Sequence, residues 1–380
     1  MTDLSDAQLR YLTALRHDLH RRPEISGQET QTANRIALEL RQIGADRIWQ
    51  NLGGHGVAAE FKGQNPGPTI LFRAELDGLP IQEISELSYR SEVGGKGHLC
   101  GHDGHMCMVL GLGMTLQKRP KSGRVILLFQ PAEETGFGAQ AVIDDPRWGQ
   151  ICPDYAFAFH NVPGRPIGEI GLRNGVANCA SRGMKIRLQG KSSHAAAPED
   201  GVSPATAMAQ LMQQLPALGQ GNIKDADFAL STLTHVQLGE PTFGIAPGQG
   251  EIRVTLRSRT DEMMQEMSSR ALNLLNEAQT GLRSDVDWCD VFYAVNNHSE
   301  GCDIARKAAA SLGYSIFEMP HPMRWSEDFG RFENAGACTN LMFMGSGETQ
   351  PQLHNPDFDF PDALLPIGID LYERIVAQVL

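Results

Sequence analysis

The sequence predicts an α/β protein built on a mostly parallel sheet and interrupted by an inserted α+β domain of ferredoxin-like order. Three observations carry this. First, short apolar runs at Thr69–Phe72, Arg124–Phe129 and Tyr155–Phe159 alternate with helical patterns, as strands buried on both faces do. Second, between about residues 179 and 290 the pattern changes to apolar/polar alternation, as in Met184-Lys-Ile-Arg-Leu188, which suits a half-exposed sheet. Third, helix and buried-strand patterns return afterwards. The expected division is 1–178 with 291–380 for the first domain and 179–290 for the insert.

In chain order, Ser5 with Gln8 forms a capping-box pattern, and Leu9, Leu12, Leu15 and Leu19 recur at helical spacing until Pro23. Ser26 with Glu29 reads as a second capping box, ahead of Ala33, Ile36, Ala37 and Leu40, with Gly44 after the helix. Asn65-Pro-Gly-Pro68 reads as a turn into the first buried strand. Met106–Leu116 reads as a helix, and Arg124–Phe129 and Tyr155–Phe159 as strands. In the insert, a strand at Met184–Leu188, a helix at about Ser203–Leu218, strands at Phe228–Val236 and Glu251–Arg257, a helix around Met263–Leu275 and a strand at Val286–Val291 give the order β-α-β-β-α-β. A helix near Cys302–Leu312, a strand near Thr339–Met344 and a final helix after Phe360 complete the first domain.

Composition narrows the partners. Of 380 residues, 41% are hydrophobic and 21% charged, enough apolar surface for a sizeable core. With 33 basic and 45 acidic residues the net charge is −12, which speaks against nucleic acid or an anionic membrane as partner. No apolar stretch approaches the ~18 residues of a membrane span, and the polar, acidic start has no signal-peptide pattern. Seven scattered cysteines do not form a disulfide framework, so a reducing, cytoplasmic home is expected.

The polar residues that carry chemistry fall at the ends of the buried strands. Glu75 and Asp77 follow the first, Glu133 and Glu134 the second, and His160 the third. Ligands of open α/β sheets bind outside the carboxyl ends of their strands. The segment His98-Leu-Cys-Gly-His-Asp-Gly-His105 adds a thiol and three imidazoles. Cys, His and carboxylates are the ligand set of zinc and related ions. His98 and His105 also suit capping or packing. Adjacent glutamates suit metal-assisted hydrolysis: one binds metal while its neighbour takes the proton of a water whose pKa the metal lowers toward ~7. On spacing alone, His354 reads as a loop histidine, and His194 in Lys191-Ser-Ser-His-Ala-Ala-Ala-Pro198 stands evenly between a site group and a surface group.

Taken together, the motifs Arg73-Ala-Glu-Leu-Asp-Gly-Leu-Pro80, Cys100-Gly-His-Asp-Gly-His105, Phe129-Gln-Pro-Ala-Glu-Glu134, Ser193-His-Ala-Ala-Ala-Pro198, Ser326-Glu-Asp-Phe329 and Leu353-His354 resemble the aminoacylase/carboxypeptidase family of dinuclear metallohydrolases. More narrowly, they resemble its branch of hippurate hydrolases and indoleacetyl-amino-acid hydrolases, over nearly the whole chain. The resemblance implies two divalent ions, Zn²⁺ or Mn²⁺ with Co²⁺ or Ni²⁺ as alternatives. Cys100, His102, Glu134, His160 and His354 match metal ligands, Cys100 being the bridging one. Glu133 matches the general base, and Asp77 an aspartate that supports a ligand. His194 matches an oxyanion-stabilising histidine of a lid that also dimerises, and Arg257 an arginine that binds the substrate carboxylate. The implied reaction is hydrolysis of N-acyl amino acids. A dipeptidase or an N-acyl-diaminopimelate-type deacylase is the alternative, and a non-catalytic metal-binding protein of the same fold a third. Two stretches depart from the family: Gly244 stands where an asparagine is common, and Met323-Arg324-Trp325 is bulkier and more basic than usual.

Overall fold

The computed structural model describes residues 3–380, which form two compact units. The first comprises residues to Ala177, Val295–Pro320 and Glu327–Leu380; the second, Asn178–Ala294 and His321–Ser326. The stretch around Arg324, which sequence grouped with the first domain, thus belongs to the second unit.

In the first unit, helices α1 (Asp6–Arg21) and α2 (Thr30–Ile43) precede strands β1 (Arg47–Leu52), β2 (Gly56–Lys62) and β3 (Asn65–Glu75). Then come α3 (His102–Thr115), β4 (Ser122–Gln130), α4 (Gly138–Asp144), β5 (Tyr155–Val162) and β6 (Ile170–Leu172). After the second unit, the helix Ser299–Leu312, strands Ile316–Glu318 and Cys338–Gly345, and the helix Leu364–Val379 complete the unit. The eight-stranded sheet runs β1-β2-β4-β3-β5, then Cys338–Gly345, β6 and Ile316–Glu318. Its centre, from β4 to Cys338–Gly345, is parallel. The hairpin β1-β2 extends one edge and β6 the other, each joined antiparallel to the core.

The N-terminus of α1 keeps its capping box, with Gln8 N–H donating to Ser5 Oγ and Ser5 N–H to Gln8 Oε1. Ser26 does not cap α2; Glu29 occupies that position, and the Ser26 hydroxyl donates instead to Asp77. Asn65–Pro68 is drawn into β3 with a break in register between Asn65 and Thr69 rather than forming a separate turn. Helix α3 is apolar on every side, and 12 of its 14 residues are buried, so it needs neighbours all round. It packs against α1, the C-terminal helix and β3. Gly104 permits this: a Cβ there would lie 2.4 Å from the Phe360 ring.

The second unit is a four-stranded antiparallel sheet in the order Ala229–Leu238, Gln249–Ser258, Ala180–Gln189, Arg283–Phe292. With helices Ala205–Gln214 and Asp261–Ala278 it has the ferredoxin-like β-α-β-β-α-β order. Thr260 caps the second helix, whose Met264, Met267, Ala271 and Leu275 form its buried stripe. The first helix is shorter than the sequence suggests, because Pro216 turns the chain into a separate 3₁₀ turn.

Candidate metal centre

Strand register decides where the first unit's polar residues meet. Glu75 lies opposite Gln130, and Arg73 opposite both Leu128 and Ala158, so β3, β4 and β5 reach their carboxyl ends nearly level. Asp77 follows β3, Glu133–Glu134 begin a 3₁₀ turn after β4, and His160 lies within the last turn of β5's pleat, two residues before its end at Val162. His102 is the first residue of α3, and Cys100 lies just before the helix's cap. Gly101, in the left-handed region at φ 95°, caps that helix, and a Cβ on it would meet Asn161 Oδ1 at 2.4 Å.

These elements gather the five residues that match metal ligands. Ligand atoms of Cys100, His102 and His160 lie within 4.8 Å of one another, as do those of Cys100, Glu134 and His354. Cys100 belongs to both groups. Its Sγ is 3.4 Å from His160 Nε2, and Glu134 Oε1 is 3.5 Å from His354 Nε2 and 3.9 Å from His102 Nε2. Around a tetrahedral ion with bonds of ~2.0–2.3 Å, ligand atoms stand roughly 3.3–3.8 Å apart.

The imidazoles are oriented for such a role. His102 Nδ1 is 2.8 Å from the Asp77 carbonyl, and His160 Nδ1 is 2.9 Å from the Asn161 carbonyl. A carbonyl only accepts, so each Nδ1 carries the proton and each Nε2 offers its lone pair. His102 Nε2 and Glu134 Oε1 are buried without a hydrogen-bond partner, which is costly unless a cation engages them. The donor set therefore fits divalent metal ions.

Electrostatics agree. Burial, with Glu134, Glu133 and Glu75 nearby, pushes the Cys100 thiol well above its ordinary pKa. Burial disfavours charge on His102, but Glu75, Asp77 and Glu134 outweigh it and raise its pKa to about 10. The carboxylates that favour a proton there also favour a metal cation. Burial and the neighbouring Glu327 and Glu134 push the Glu133 carboxyl well up. Burial would raise Asp77 too, but His102, the Ser26 hydroxyl and the Glu134 N–H hold it below the usual range.

The loops are held under strain by specific hydrogen bonds. Among the described residues, four non-glycines have positive φ, and two of them, Ala132 and His354, are at this site. Each such residue costs about 1 kcal/mol or more and persists only when its surroundings fix it. Ala132 N–H donates to Glu29 Oε1 at 2.8 Å, and His354 N–H to the Leu99 carbonyl at 2.8 Å. The Glu134 N–H donates to Asp77 Oδ2 at 3.0 Å. Asp77 thus supports both a histidine and a glutamate of the cluster.

Sequence reasoning did not anticipate the network beside the cluster. Arg73, fully buried, donates to both carboxylate oxygens of Glu327, to Asp328, to Gln130 and to Glu75. Carboxylate oxygens of Glu133, Glu327 and Asp328 lie within 4.8 Å of one another. His105 bridges Glu75 at 2.8 Å and Asn161 at 2.7 Å, a packing role rather than a place among the five. The sequence signal was the pair of motifs at Arg73 and Ser326, but nothing local says that they meet across about 250 residues.

His194 and Arg257 belong to the second unit. His194 sits on the two-residue strand Ser193–His194, exposed, and its Nδ1 accepts the Ala196 N–H at 3.1 Å, so the neutral ring carries its proton on Nε2. Arg257 lies on Gln249–Ser258, and its Nη1 donates to the Arg324 carbonyl and to Ser326 Oγ, both at 3.1 Å.

The model of peptidase family M20/M25/M40 matches residues 71–378. The chain belongs to that family. As an M20/M25/M40 member it is a metal-dependent amide-bond hydrolase. It is 30% identical over 373 residues to an N-acetylcysteine deacetylase of Bacillus subtilis, covering 97% of each chain. It is 29% identical to a hippurate hydrolase of Campylobacter jejuni, covering 96% of each. A solved Bacillus subtilis structure described as a dinuclear metal-binding peptidase of the M20 family superposes with a TM-score of 0.82 at 28% identity, covering 99% of each chain. Both the resemblance and the α/β fold expected from sequence are thereby established.

Proposed function

We propose that this M20/M25/M40 peptidase hydrolyses the amide bond of N-acyl amino acids. The observation that carries this is the Glu133–Glu134 pair lying against two ligand groups that share Cys100. Cys100, His102 and His160 would hold one divalent ion, and Cys100, Glu134 and His354 the other. Zinc or manganese is the expected metal, with cobalt or nickel able to substitute. When bound, the ions supply Lewis acidity, lowering the pKa of a water and polarising the scissile carbonyl.

The chain's own residues account for the proton traffic. Glu133, whose Oε2 is 3.9 Å from His102 Nε2 beside the ligand groups, stands where it can take a proton from the attacking water and return it to the leaving amine. Asp77 orients His102 and fixes the Glu134 backbone. His194 Nε2–H donates to the oxygen on which charge develops, and the Arg257 guanidinium receives the substrate carboxylate. The second unit then serves as a lid and as the contact of a homodimer. No helix of the described residues is long and apolar enough to cross a membrane, and a cytoplasmic setting would keep Cys100 reduced.

The test is a panel of N-acetyl and N-benzoyl amino acids and free dipeptides, run on metal-stripped protein with each divalent ion added back. N-acyl amino acids are hydrolysed when metal is restored, and Glu133→Gln binds metal but loses about 10²–10⁴-fold in turnover. Cleavage of dipeptides alone, or near-normal turnover by Glu133→Gln, overturns the reading.

A further inference from the structure

The ribbon that bears His194 carries a second feature. Ser193–His194 pairs antiparallel with Ile245–Ala246, and the Ala195 N–H donates to the Gly244 carbonyl at 3.0 Å. The register sets Ile245 directly opposite His194. Directly opposed residues of an antiparallel pair present their side chains on the same face, with Cβ atoms about 4.5–5.5 Å apart. The Ile245 side chain therefore stands beside the His194 imidazole. Ile245 is 55% exposed, and Phe243, two residues earlier, is 103% exposed, the most exposed large apolar side chain among the described residues. Beyond its two chain neighbours, nothing lies within 4 Å of the place a Cβ on the intervening Gly244 would occupy.

We propose that Phe243 and Ile245 are specificity residues that receive the substrate's acyl chain and select longer apolar acyl groups over acetyl. The inference rests on the proposed function, with His194 at the oxyanion. An oxygen bound by His194 is one bond from the carbonyl carbon, whose other substituents are the acyl chain and the amide nitrogen. The amino-acid half carries a carboxylate, and the ribbon segments Ser193–Pro198 and Thr242–Pro247 contain no Lys or Arg to meet it. The acyl half is the part an isoleucine and a phenylalanine can hold, by removing its apolar surface from water.

The experiment measures kcat/KM for the acetyl, butyryl and hexanoyl derivatives of one amino acid, with wild type, Phe243→Ser and the double variant Phe243→Ser/Ile245→Ser, each also run in analytical ultracentrifugation. A fully buried methylene contributes about fourfold, so wild type should favour hexanoyl over acetyl by at least about tenfold. That ratio should shrink in Phe243→Ser and fall to within about twofold of unity in the double variant. An unchanged ratio, or a wild type that prefers acetyl, overturns the inference while leaving the proposed function standing. A uniform loss on all three substrates with dissociation of subunits also overturns it and assigns the patch to a subunit contact. Failure of the proposed function shows separately, as no hydrolysis of any N-acyl amino acid by wild type, and removes both.

Discussion

Cys100, His102 and His160 are at most 6% exposed and come from the turn before α3, the first residue of α3 and β5, each side chain held by backbone or neighbouring groups. His194 stands exposed on a two-residue strand, its ring accepting the Ala196 N–H two residues on. Under the proposed function, the contrast follows from what each region would do. A metal cradle needs buried donors in fixed geometry, because an uncompensated buried carboxylate or imidazole is costly and a misplaced one binds nothing. A group that meets substrate needs access, and a short exposed ribbon gives access with little packing to define it.

Three experiments break or sharpen this comparison. The largest effect is expected inside the cradle. Cys100→Ser should lose metal affinity by more than the ~10–100-fold typical of a supporting residue, and activity with it. Cys107→Ser, likewise buried but within α3 and outside both ligand groups, should change neither. Metal content by mass spectrometry checks this, and equal effects of the two substitutions would undo the distinction between a ligand and a packed thiol.

Next in size is the ribbon. His194→Ala should cut kcat about 10²–10³-fold, as loss of an oxyanion donor does, yet leave metal content and the urea midpoint unchanged. A drop in stability or metal binding would show that the exposed region is not separable from the cradle.

The smallest effect lies beneath the cradle, in the network that seats α3. His20 is buried between Asp103 and Glu83. Burial opposes its charge, but Asp103 and Glu83 outweigh burial and raise its pKa to about 9. A raised folded-state pKa gives stability that is complete below the unfolded value near ~6.5 and is lost as pH rises through about 9. Between pH 6 and pH 10 the wild type should lose up to roughly 3 kcal/mol more than His20→Gln. Parallel losses in the two proteins, measured by urea unfolding, would remove His20 from the account.

Much of this was legible in the sequence because strand, turn and ligand chemistry are local. The apolar runs marked the parallel core, the adjacent Glu133 and Glu134 followed a strand, and the Cys100–His105 cluster announced metal chemistry. Local pattern misread Ser26, which has a capping spacing but whose hydroxyl donates to Asp77. Spacing cannot distinguish a helix cap from a partner about 50 residues away. The hairpin β1-β2 and the short edge strands went unread, since brief pairings at a sheet edge leave little periodicity.

By itself, then, the sequence determined the α/β class, the inserted antiparallel unit and the residue types that carry the chemistry, because burial and ligand preference are properties of individual residues and their near neighbours. Tertiary structure alone decided that Arg73 ties the end of β3 to Glu327 and Asp328, and it set the distances at which Cys100 joins two ligand groups and His354 meets Glu134, which the family resemblance had only implied. Those meetings depend on strand register and chain crossings over long separations, and no local pattern records which distant ends will lie side by side.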